Sequence, residues 1–194
     1  MIKEKTAKAI RIVTIPPILV GILTVLLINI RPGLFRSPAD IVLCLICLAI
    51  IPVLAYPLQP LLPSFRGKGR EGQRRLAFIL SFSGYAAGVI IGLISGVSAE
   101  LQFIFNTYLV SVIILIIFNK LLHLRASGHA CSITGPLLFL IFFAGPAAVI
   151  PCIIIFILII WSSLVLKRHT PLDLTLGSLV CAISFFINYL FLLY

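Results

Sequence analysis

Long apolar segments alternate with short polar ones along the whole chain. Seven segments are each close to the roughly 20 residues that an α-helix needs to cross a bilayer. The fifth and sixth are separated only by a Gly-Pro turn, so they form either a tight helical hairpin or one broken segment. The pattern predicts an all-α, polytopic transmembrane bundle of about six to seven spans, in a single domain over residues 1–194. The segments are 9–30, 39–62, 76–96, 100–122, 132–147, 149–166 and 171–193.

Prolines mark places where the predicted helices should bend or end. Pro16 and Pro17 fall inside the first apolar segment, and four further prolines lie between residues 52 and 63. Proline lacks a backbone N–H and its ring clashes with the preceding turn, so we expect a break in both segments. The second span should finish as an irregular stretch near Tyr56.

The composition identifies the class of protein. Hydrophobic residues make up 61% of the chain and charged residues only 10%. A soluble domain of this length has too little interior to bury that much apolar surface. We therefore expect a multi-pass integral membrane protein, located in the cell membrane.

The net charge of +10 comes mainly from basic residues in the short polar segments. Nearly all Lys and Arg fall in the N-terminal segment and in 64–75, 123–132 and 167–170, which the alternating spans place on one side of the membrane. The positive-inside rule predicts that this side is cytoplasmic, although phosphate-binding residues would add to the same excess. No basic face interleaved with aromatic residues is present, so we expect no nucleic-acid partner.

The five cysteines favour packing over redox or metal chemistry. Cys44 and Cys47 form a CxxC pair inside the apolar run 41–53, where cysteine behaves as a small hydrophobe. No second Cys pair accompanies it and the count is odd, so we expect neither a metal site nor a full disulfide framework.

Three polar clusters lie on the basic side of the predicted bundle. The first, 66–75, carries five basic residues and on its own is typical of an ordinary cytoplasmic loop. The second, 125–130, begins with Arg125 and places small residues and His129 where an apolar span starts. Backbone N–H groups at such a helix start can approach an anion, and the helix dipole favours negative charge there.

The third cluster holds His169 and Asp173, four positions apart, at the start of the last span. If the segment after Pro171 is helical, the two side chains lie on nearly the same face. Thr170 as N-cap, Pro171 in the first turn and Asp173 near the positive end of the dipole are ordinary features of a helix start. His169 is not, and an ionisable pair in so apolar a chain indicates a function.

An even number of predicted spans separates each cluster from the next, so all three are expected on one membrane face. Together they supply cations, backbone donors, two imidazoles and a carboxylate, which suit a phosphate monoester or diphosphate at the membrane surface. A histidine held by a carboxylate through one ring nitrogen can attack phosphorus with the other. The second histidine can protonate the departing oxygen.

The order and spacing of these residues resemble the type 2 phosphatidic acid phosphatases, relatives of the vanadium haloperoxidases. The signature of that family is K-x6-R-P, then P-S-G-H, then S-R-x5-H-x3-D. Lys68 and Arg75 stand at the first spacing, with Leu76 in the place of the proline. Residues 127–129 match the second motif, with Ala126 in the place of its proline.

The third motif is matched by Ser162, His169 and Asp173, but Ser163 stands where the family has arginine. The resemblance covers residues 68–177 and includes the apolar pairs between the motifs. Losing a bidentate phosphate clamp weakens transition-state binding, so another cation would have to substitute for it. The candidates are Arg125, Lys167 and Arg168.

The resemblance implies a metal-independent lipid phosphatase that needs no cofactor. His169 would be the nucleophile and form a phosphohistidine, and Asp173 would orient and charge-stabilise it. His129 would be the general acid for the leaving alcohol and then the general base for water. The phosphoryl oxygens would be bound by Lys68, Arg75, Arg125 and the backbone around Ser127 and Gly128.

The expected partner is a lipid phosphate whose tail remains in the bilayer, such as a polyprenyl phosphate or diphosphate or phosphatidic acid. Two other hypotheses stay open: a weakened lipid-phosphate binder or small transporter, and a lipid-group transferase that uses an alcohol instead of water. A transporter would usually show inverted repeats or polar residues near mid-span. Product analysis with and without an acceptor would identify a transferase.

Overall fold

The computed structural model describes residues 2–193, which form helices joined by short loops. The prediction of an all-α bundle is confirmed. A π-helical turn at Ile46–Ile50 lies within the third helix, and another at Ile117–Leu121 ends the fifth. The helices are α1 (Ile2–Val13), α2 (Pro16–Ile30), α3 (Pro38–Leu58), α4 (Gly69–Ser95), α5 (Ala99–Leu121), α6 (Gly128–Ala144), α7 (Val149–Val165) and α8 (Pro171–Leu193).

The outer surface of the bundle is apolar. Five helical stretches are long and apolar enough to cross a membrane, and α1 with α2 gives a sixth if that bent pair is one span. Large side chains such as Ile94, Ile150 and Phe191 are exposed on the outside. A continuous exposed surface of this kind belongs in lipid and not in water. The chain is therefore a multi-pass integral membrane protein, as its composition predicted.

Pro16 and Pro17 separate the first two helices, as the proline pattern predicted. α1 ends at Val13, α2 begins at Pro16, and the two helix axes are bent by 52°. Proline suits the first turn of a helix, where its missing N–H would have no partner within the helix. α1 packs along α7, whereas α2 packs along α6. The N-terminal helix is thus a separate element beside the last turns of α7.

The stretch Gly128–Val165 folds back on itself as a helical hairpin. The turn is a short 3₁₀ segment, Gly145–Ala148, between α6 and α7. Leu137 packs with Cys152 across the hairpin, and Ile133 packs with Ile159 nearer its open end. Of the two arrangements that the sequence allowed for this region, the hairpin is the one formed. It returns the end of α7 to the membrane side on which α6 begins.

Two helices begin earlier than the apolar pattern predicted. α4 starts at Gly69 instead of residue 76, and α6 starts at Gly128 instead of residue 132. Their polar first turns extend past the apolar part of each span, where hydropathy carries no signal but backbone hydrogen bonding still favours a helix. Residues 69–75 are therefore arranged around a helix and not along a loop, which decides where their side chains point.

Small residues let α4 pack closely against its neighbours. A Cβ at Gly84 would lie 2.6 Å from the Cys47 carbonyl oxygen, and one at Gly88 would lie 2.9 Å from the Phe105 ring. Cys44 and Cys47 belong to the same buried cluster, as expected of cysteines that act as small hydrophobes. The close packing of α3, α4 and α5 fixes one wall of the region described next.

The two ends of the bundle differ in charge. At one end, Arg31 pairs with Glu100 at 3.8 Å, and Arg36 donates to the Gly96 carbonyl at 2.7 Å. All other Lys and Arg of the described chain lie toward the opposite end, on α1, at the end of α5 or around the connections into α4, α6 and α8. That basic end carries the three polar clusters.

Candidate active site

Two reciprocal hydrogen bonds fix the turn between α7 and α8. The Asp173 N–H donates to Thr170 Oγ1 at 3.1 Å, and the Thr170 N–H donates to Asp173 Oδ2 at 3.1 Å. Thr170 thus caps α8 as predicted. Because Asp173 is only 5% exposed and is held at both its backbone and its side chain, its carboxylate has a fixed position beside residue 169.

His169 has a polar group at each ring nitrogen. Its Nδ1 lies 3.7 Å from Asp173 Oδ2, an electrostatic contact that is longer than a hydrogen bond. Its Nε2 lies 3.4 Å from Ser127 Oγ, at the start of α6. The imidazole therefore turns Nδ1 toward the carboxylate and Nε2 toward the second cluster.

Ser127 joins the second cluster to the third. It is the N-cap of α6, and its Oγ accepts a hydrogen bond from the Ala130 N–H at 3.2 Å. Its own N–H donates to the Asp173 carbonyl at 2.8 Å. The Ser127 N–H, which was expected to help bind phosphate, is therefore already bonded. The first-turn N–H groups of Gly128 and His129 have no acceptor within the helix and are the donors aimed outward there.

A glycine in α8 allows this close approach. A Cβ at Gly177 would overlap the Ser127 carbonyl group and lie 3.1 Å from the Ala130 Cβ. Any side chain at this position would push α8 away from the start of α6. The lack of a side chain at Gly177 thus allows the Ser127 N–H to reach the Asp173 carbonyl.

His129 lies in the first turn of α6, two residues after the N-cap. Its Nε2 is buried and has no hydrogen-bond partner among residues 2–193. A buried imidazole nitrogen without a partner is unfavourable, and it is available to exchange a proton with a bound group. His129 and His169 line the same cavity, so the two predicted catalytic histidines face one space.

The cavity has a volume of about 670 Å³ and a polar end at the basic side of the bundle. Most of its wall is apolar, and it extends between the helices to Tyr108, Leu115 and Gly135. A cavity with a cationic entrance and an apolar interior fits an amphiphile with an anionic headgroup. Four arginines line the polar end, and we call them the arginine rim: Arg11, Arg70, Arg74 and Arg168.

Of the five predicted phosphate-binding residues, Gly128 lines this cavity, whereas Lys68, Arg75, Arg125 and the buried Ser127 do not. Lys68 and Arg75 are exposed on another face of the α4 start, because that region is helical and residues 70 and 74 share the face that points inward. The Arg125 side chain is 61% exposed, and its Nε lies 3.7 Å from Asp173 Oδ2. Arg125 therefore offsets part of the charge of the carboxylate.

Sequence reasoning missed three members of the arginine rim and named only Arg168 as a candidate. Arg70 and Arg74 lie in the first cluster, where a loop gave no reason to prefer them over their neighbours. Arg11 lies far from all three clusters in the sequence. Its signal was present, since it is the only charged residue in the predicted segment 9–30, and such residues usually have a function.

The surroundings of His169 favour its neutral form. The pKa of His169 is lowered from 6.5 to about 4, chiefly by burial and next by the positive charge of Arg11, while Asp173 opposes the decrease. At neutral pH the imidazole is therefore unprotonated, so one ring nitrogen keeps the lone pair that a nucleophile needs.

No protein-family model, curated protein or solved structure matches this chain. The resemblance to the type 2 phosphatidic acid phosphatases stays a prediction. Among residues 2–193, no group of three or more His, Cys, Asp or Glu side chains is placed to hold a metal ion.

Proposed function

We propose that this protein is a membrane-embedded lipid phosphate phosphatase. The observation that supports this most is the position of His169. Asp173 lies at its Nδ1 and Ser127 at its Nε2, and its side chain lines a cavity that His129 and the arginine rim also line. Nucleophile, acid–base group and cations for a phosphoryl group are thus within one space.

The reaction would proceed in two displacements. In the first, a ring nitrogen of neutral His169 attacks phosphorus and the bond from phosphorus to the lipid oxygen breaks. His129, which takes up a proton when the anionic phosphoryl group binds beside it, gives that oxygen its proton. In the second, His129 takes a proton from water, which attacks the phosphohistidine and releases inorganic phosphate and His169. Asp173 stabilises the positive charge that the imidazole acquires during both steps. Imidazole is the nucleophile, so the chemistry requires no metal.

Negative charge on the phosphoryl oxygens would be balanced by the arginine rim. Guanidinium groups bind such oxygens through paired N–H donors, and they act most strongly where water is partly excluded. The N–H groups of Gly128 and His129 lie at the positive end of the α6 dipole and would add two donors.

The apolar wall supports a lipid as the substrate. The tail of a polyprenyl phosphate or diphosphate, or of phosphatidic acid, would enter between the helices while the headgroup stays at the rim. By the positive-inside rule, the excess of Lys and Arg at the same end favours a headgroup on the cytoplasmic face. These assignments belong to the proposal and are tested with it.

The test is phosphate release by detergent-purified protein in EDTA, using a panel of prenyl and glycerolipid phosphates. We expect release by wild type, no release by His169→Ala, and a loss of about 100- to 10,000-fold for His129→Ala. The control is His123→Asn, because His123 is exposed, lies outside the cavity, and has a positive φ that asparagine tolerates.

Two results would contradict the proposal. Activity that survives in His169→Ala would exclude a phosphohistidine intermediate. If no lipid in the panel released phosphate, the phosphatase function would be excluded. Trapping a ³²P-labelled protein from a labelled substrate, with acid-labile label that is absent from His169→Ala, would test the covalent step directly.

A further inference from the structure

Arg11 reaches the site from a distant part of the chain. α1 packs along α7, and Arg11 Nη1 donates a hydrogen bond to Ser163 Oγ at 3.3 Å. Ser163 is fully buried, so the hydroxyl is a fixed anchor in the last turn of α7. The two residues are separated by 152 positions in the sequence. Through this contact the guanidinium is held at the polar end of the cavity.

Within the described part of the chain, the charge of Arg11 has no carboxylate partner. No ion pair within residues 2–193 includes it, and the other charged residues of the arginine rim are also positive. Arg11 and Arg74 are half-buried, Arg70 and Arg168 are exposed, and among residues 2–193 only Arg74 of these four has a carboxylate partner, Glu71 at 3.9 Å. The uncompensated positive charges of the cluster repel one another. An anion in the cavity would relieve this repulsion, which indicates that the cluster is arranged for a bound anion.

Packing of α1 against α7 does not account for the whole arrangement. The end of α7 is the negative end of a helix dipole and would attract any cation. However, a guanidinium has five N–H donors, and a single side-chain hydrogen bond, to Ser163, is formed within the described chain. Arg11 also lines the cavity beside His129 and His169. Its remaining donors are therefore able to bind a ligand that the histidines also touch.

We propose that Arg11, oriented by the Ser163 hydroxyl, binds the phosphoryl oxygens of the substrate. This rests on the proposed phosphatase function and names a residue that the motifs do not contain. Ser163 is the position at which the resemblance leads one to expect arginine. Here the guanidinium comes from α1, and the small side chain at position 163 leaves space for it and accepts its hydrogen bond.

The effect of Arg11 on His169 is consistent with this position. Among the charged groups that lower the pKa of His169, Arg11 has the largest effect. The same positive charge favours the neutral imidazole before attack and attracts the phosphoryl group to it.

The first measurement is kcat/KM for the best lipid phosphate of the panel. We expect Arg11→Ala to lower kcat/KM by about 100-fold or more, as removal of one transition-state donor does in other enzymes. Arg11→Lys should be intermediate, since lysine keeps the charge but loses the paired donors. Arg66→Ala is the matched control, because Arg66 is an exposed arginine at the same end of the bundle and does not line the cavity. Equal activities of Arg11→Ala and Arg66→Ala would overturn the proposal.

A rescue experiment separates substrate binding from helix packing. In the double variant Arg11→Ala/Ser163→Arg, a guanidinium enters the same space from α7 and not from α1. We expect the kcat/KM of the double variant to exceed that of Arg11→Ala by at least about tenfold. The charge and the paired donors return, while the contact between α1 and Ser163 does not. A double variant that is folded, by its elution and thermal unfolding, and no more active than Arg11→Ala would contradict phosphate binding.

A binding measurement does not depend on turnover. Inorganic phosphate titrated calorimetrically into purified His169→Ala protein should bind. The Kd for phosphate should be about tenfold higher or more in the double variant His169→Ala/Arg11→Ala, and unchanged in His169→Ala/Arg66→Ala. If no lipid phosphate is hydrolysed but phosphate binding still depends on Arg11, the phosphatase is wrong and the Arg11 site stands. If hydrolysis depends on His169 but neither kcat/KM nor phosphate binding changes in Arg11→Ala, the phosphatase proposal stands and the Arg11 site is wrong.

Discussion

At the residue scale, the site depends on how one imidazole is placed. His169 lies outside the helices, in the turn before α8, where the capping bonds of Thr170 and Asp173 restrict the backbone. The carboxylate at Nδ1 and the serine at Nε2 then limit the rotation of the ring. A short polar turn thus gives the side chain the fixed orientation that a nucleophile requires.

The first prediction concerns the ionisation of His169. Its folded pKa is about 4, below the usual 6.5, so the neutral form should persist as pH falls through 6.5 and be lost only near pH 4. Removing the positive charge of Arg11 should stabilise the imidazolium, so the pKa should rise toward 6.5 in Arg11→Ala. The measurement is an NMR titration of ¹³C-labelled histidines, with the His169 signal assigned by its absence in His169→Ala. A midpoint near 6.5 in wild type would contradict it.

The sign of the stability effect follows from the same shift. Between pH 6.5 and pH 4 the unfolded chain binds a proton at His169 that the folded chain does not. The contribution of His169 to the free energy of unfolding is therefore fully present above pH 6.5 and decreases as pH falls through this range.

The second prediction distinguishes neighbouring arginines on α4. Arg74 is half-buried and lines the cavity, whereas Arg75 is exposed and does not. We expect Arg74→Ala to lower kcat/KM by about 10- to 100-fold and Arg75→Ala to have a small effect. Steady-state assays of the two variants with the same lipid phosphate provide the comparison. A larger loss in Arg75→Ala would favour the spacing of the family motif over the cavity described here.

Part of the site could be predicted from residue types and spacing, and part could not. The pairing of His169 with Asp173 follows from an i, i+4 relation next to a capped helix start, which is local information. The choice of Arg74 over Arg75 depends on where α4 begins, and a basic, glycine-rich segment does not reveal that boundary. The position of Arg11 at the cavity depends on the packing of α1 against α7, which no local pattern encodes.

At the scale of elements, helix starts and close helix contacts assemble the site. The N-cap of α6 and the first turn of α8 are bonded to each other through the Ser127 N–H and the Asp173 carbonyl. That bond exists because Gly177 lets the two helices approach. The sequence predicted the start of α8 at Pro171 and placed the start of α6 at residue 132 instead of Gly128. It did not predict their contact, since the role of Gly177 is visible only when α6 lies against it.

The third prediction concerns this approach. In Gly177→Ala the new Cβ would meet backbone atoms of Ser127, which cannot rotate away, so α8 must shift. We expect the free energy of unfolding to fall by about 1–3 kcal/mol and the activity to fall as His169 and Ser127 separate. Thermal unfolding in detergent and the phosphate-release assay are the measurements.

The control for that prediction is another helical glycine. A Cβ at Gly21 in α2 would have no atom within 4 Å. Gly21→Ala should therefore leave activity unchanged and raise helix stability by up to about 1 kcal/mol. A Gly177→Ala variant as stable and as active as Gly21→Ala would show that the contact between α6 and α8 is not required.

At the scale of the whole molecule, the membrane class and the helical bundle could be predicted from apolar periodicity and composition alone. The cavity could not, because its wall combines residues of several helices whose mutual positions are set by packing. Segments as apolar as these have no polar stripe that marks an inward face, so hydropathy does not show which residues face lipid and which face the cavity.

The fourth prediction tests the apolar interior as the site of the lipid tail. A side chain at Gly135 would point toward the Tyr108 hydroxyl and the Cys181 thiol, where the cavity is deep in the bundle. Gly135→Leu should therefore shorten the space for a tail. We expect kcat/KM to fall for long-tailed phosphates and to change little for short-tailed ones. Equal losses for both lengths, with unchanged thermal unfolding, would place the tail outside the cavity.

The break between α1 and α2 has a practical consequence. The five membrane-spanning stretches from Pro38 onward do not include the first helix, yet one guanidinium of the rim comes from that helix. A chain trimmed to begin at Thr14 keeps those five stretches and should lose turnover, and a fusion partner joined at the N-terminus could disturb turnover without disturbing expression. Adding a synthetic peptide of residues 2–13 to the trimmed protein would then restore activity in proportion to its occupancy, so that an integral membrane enzyme could be switched on by a water-soluble fragment of itself.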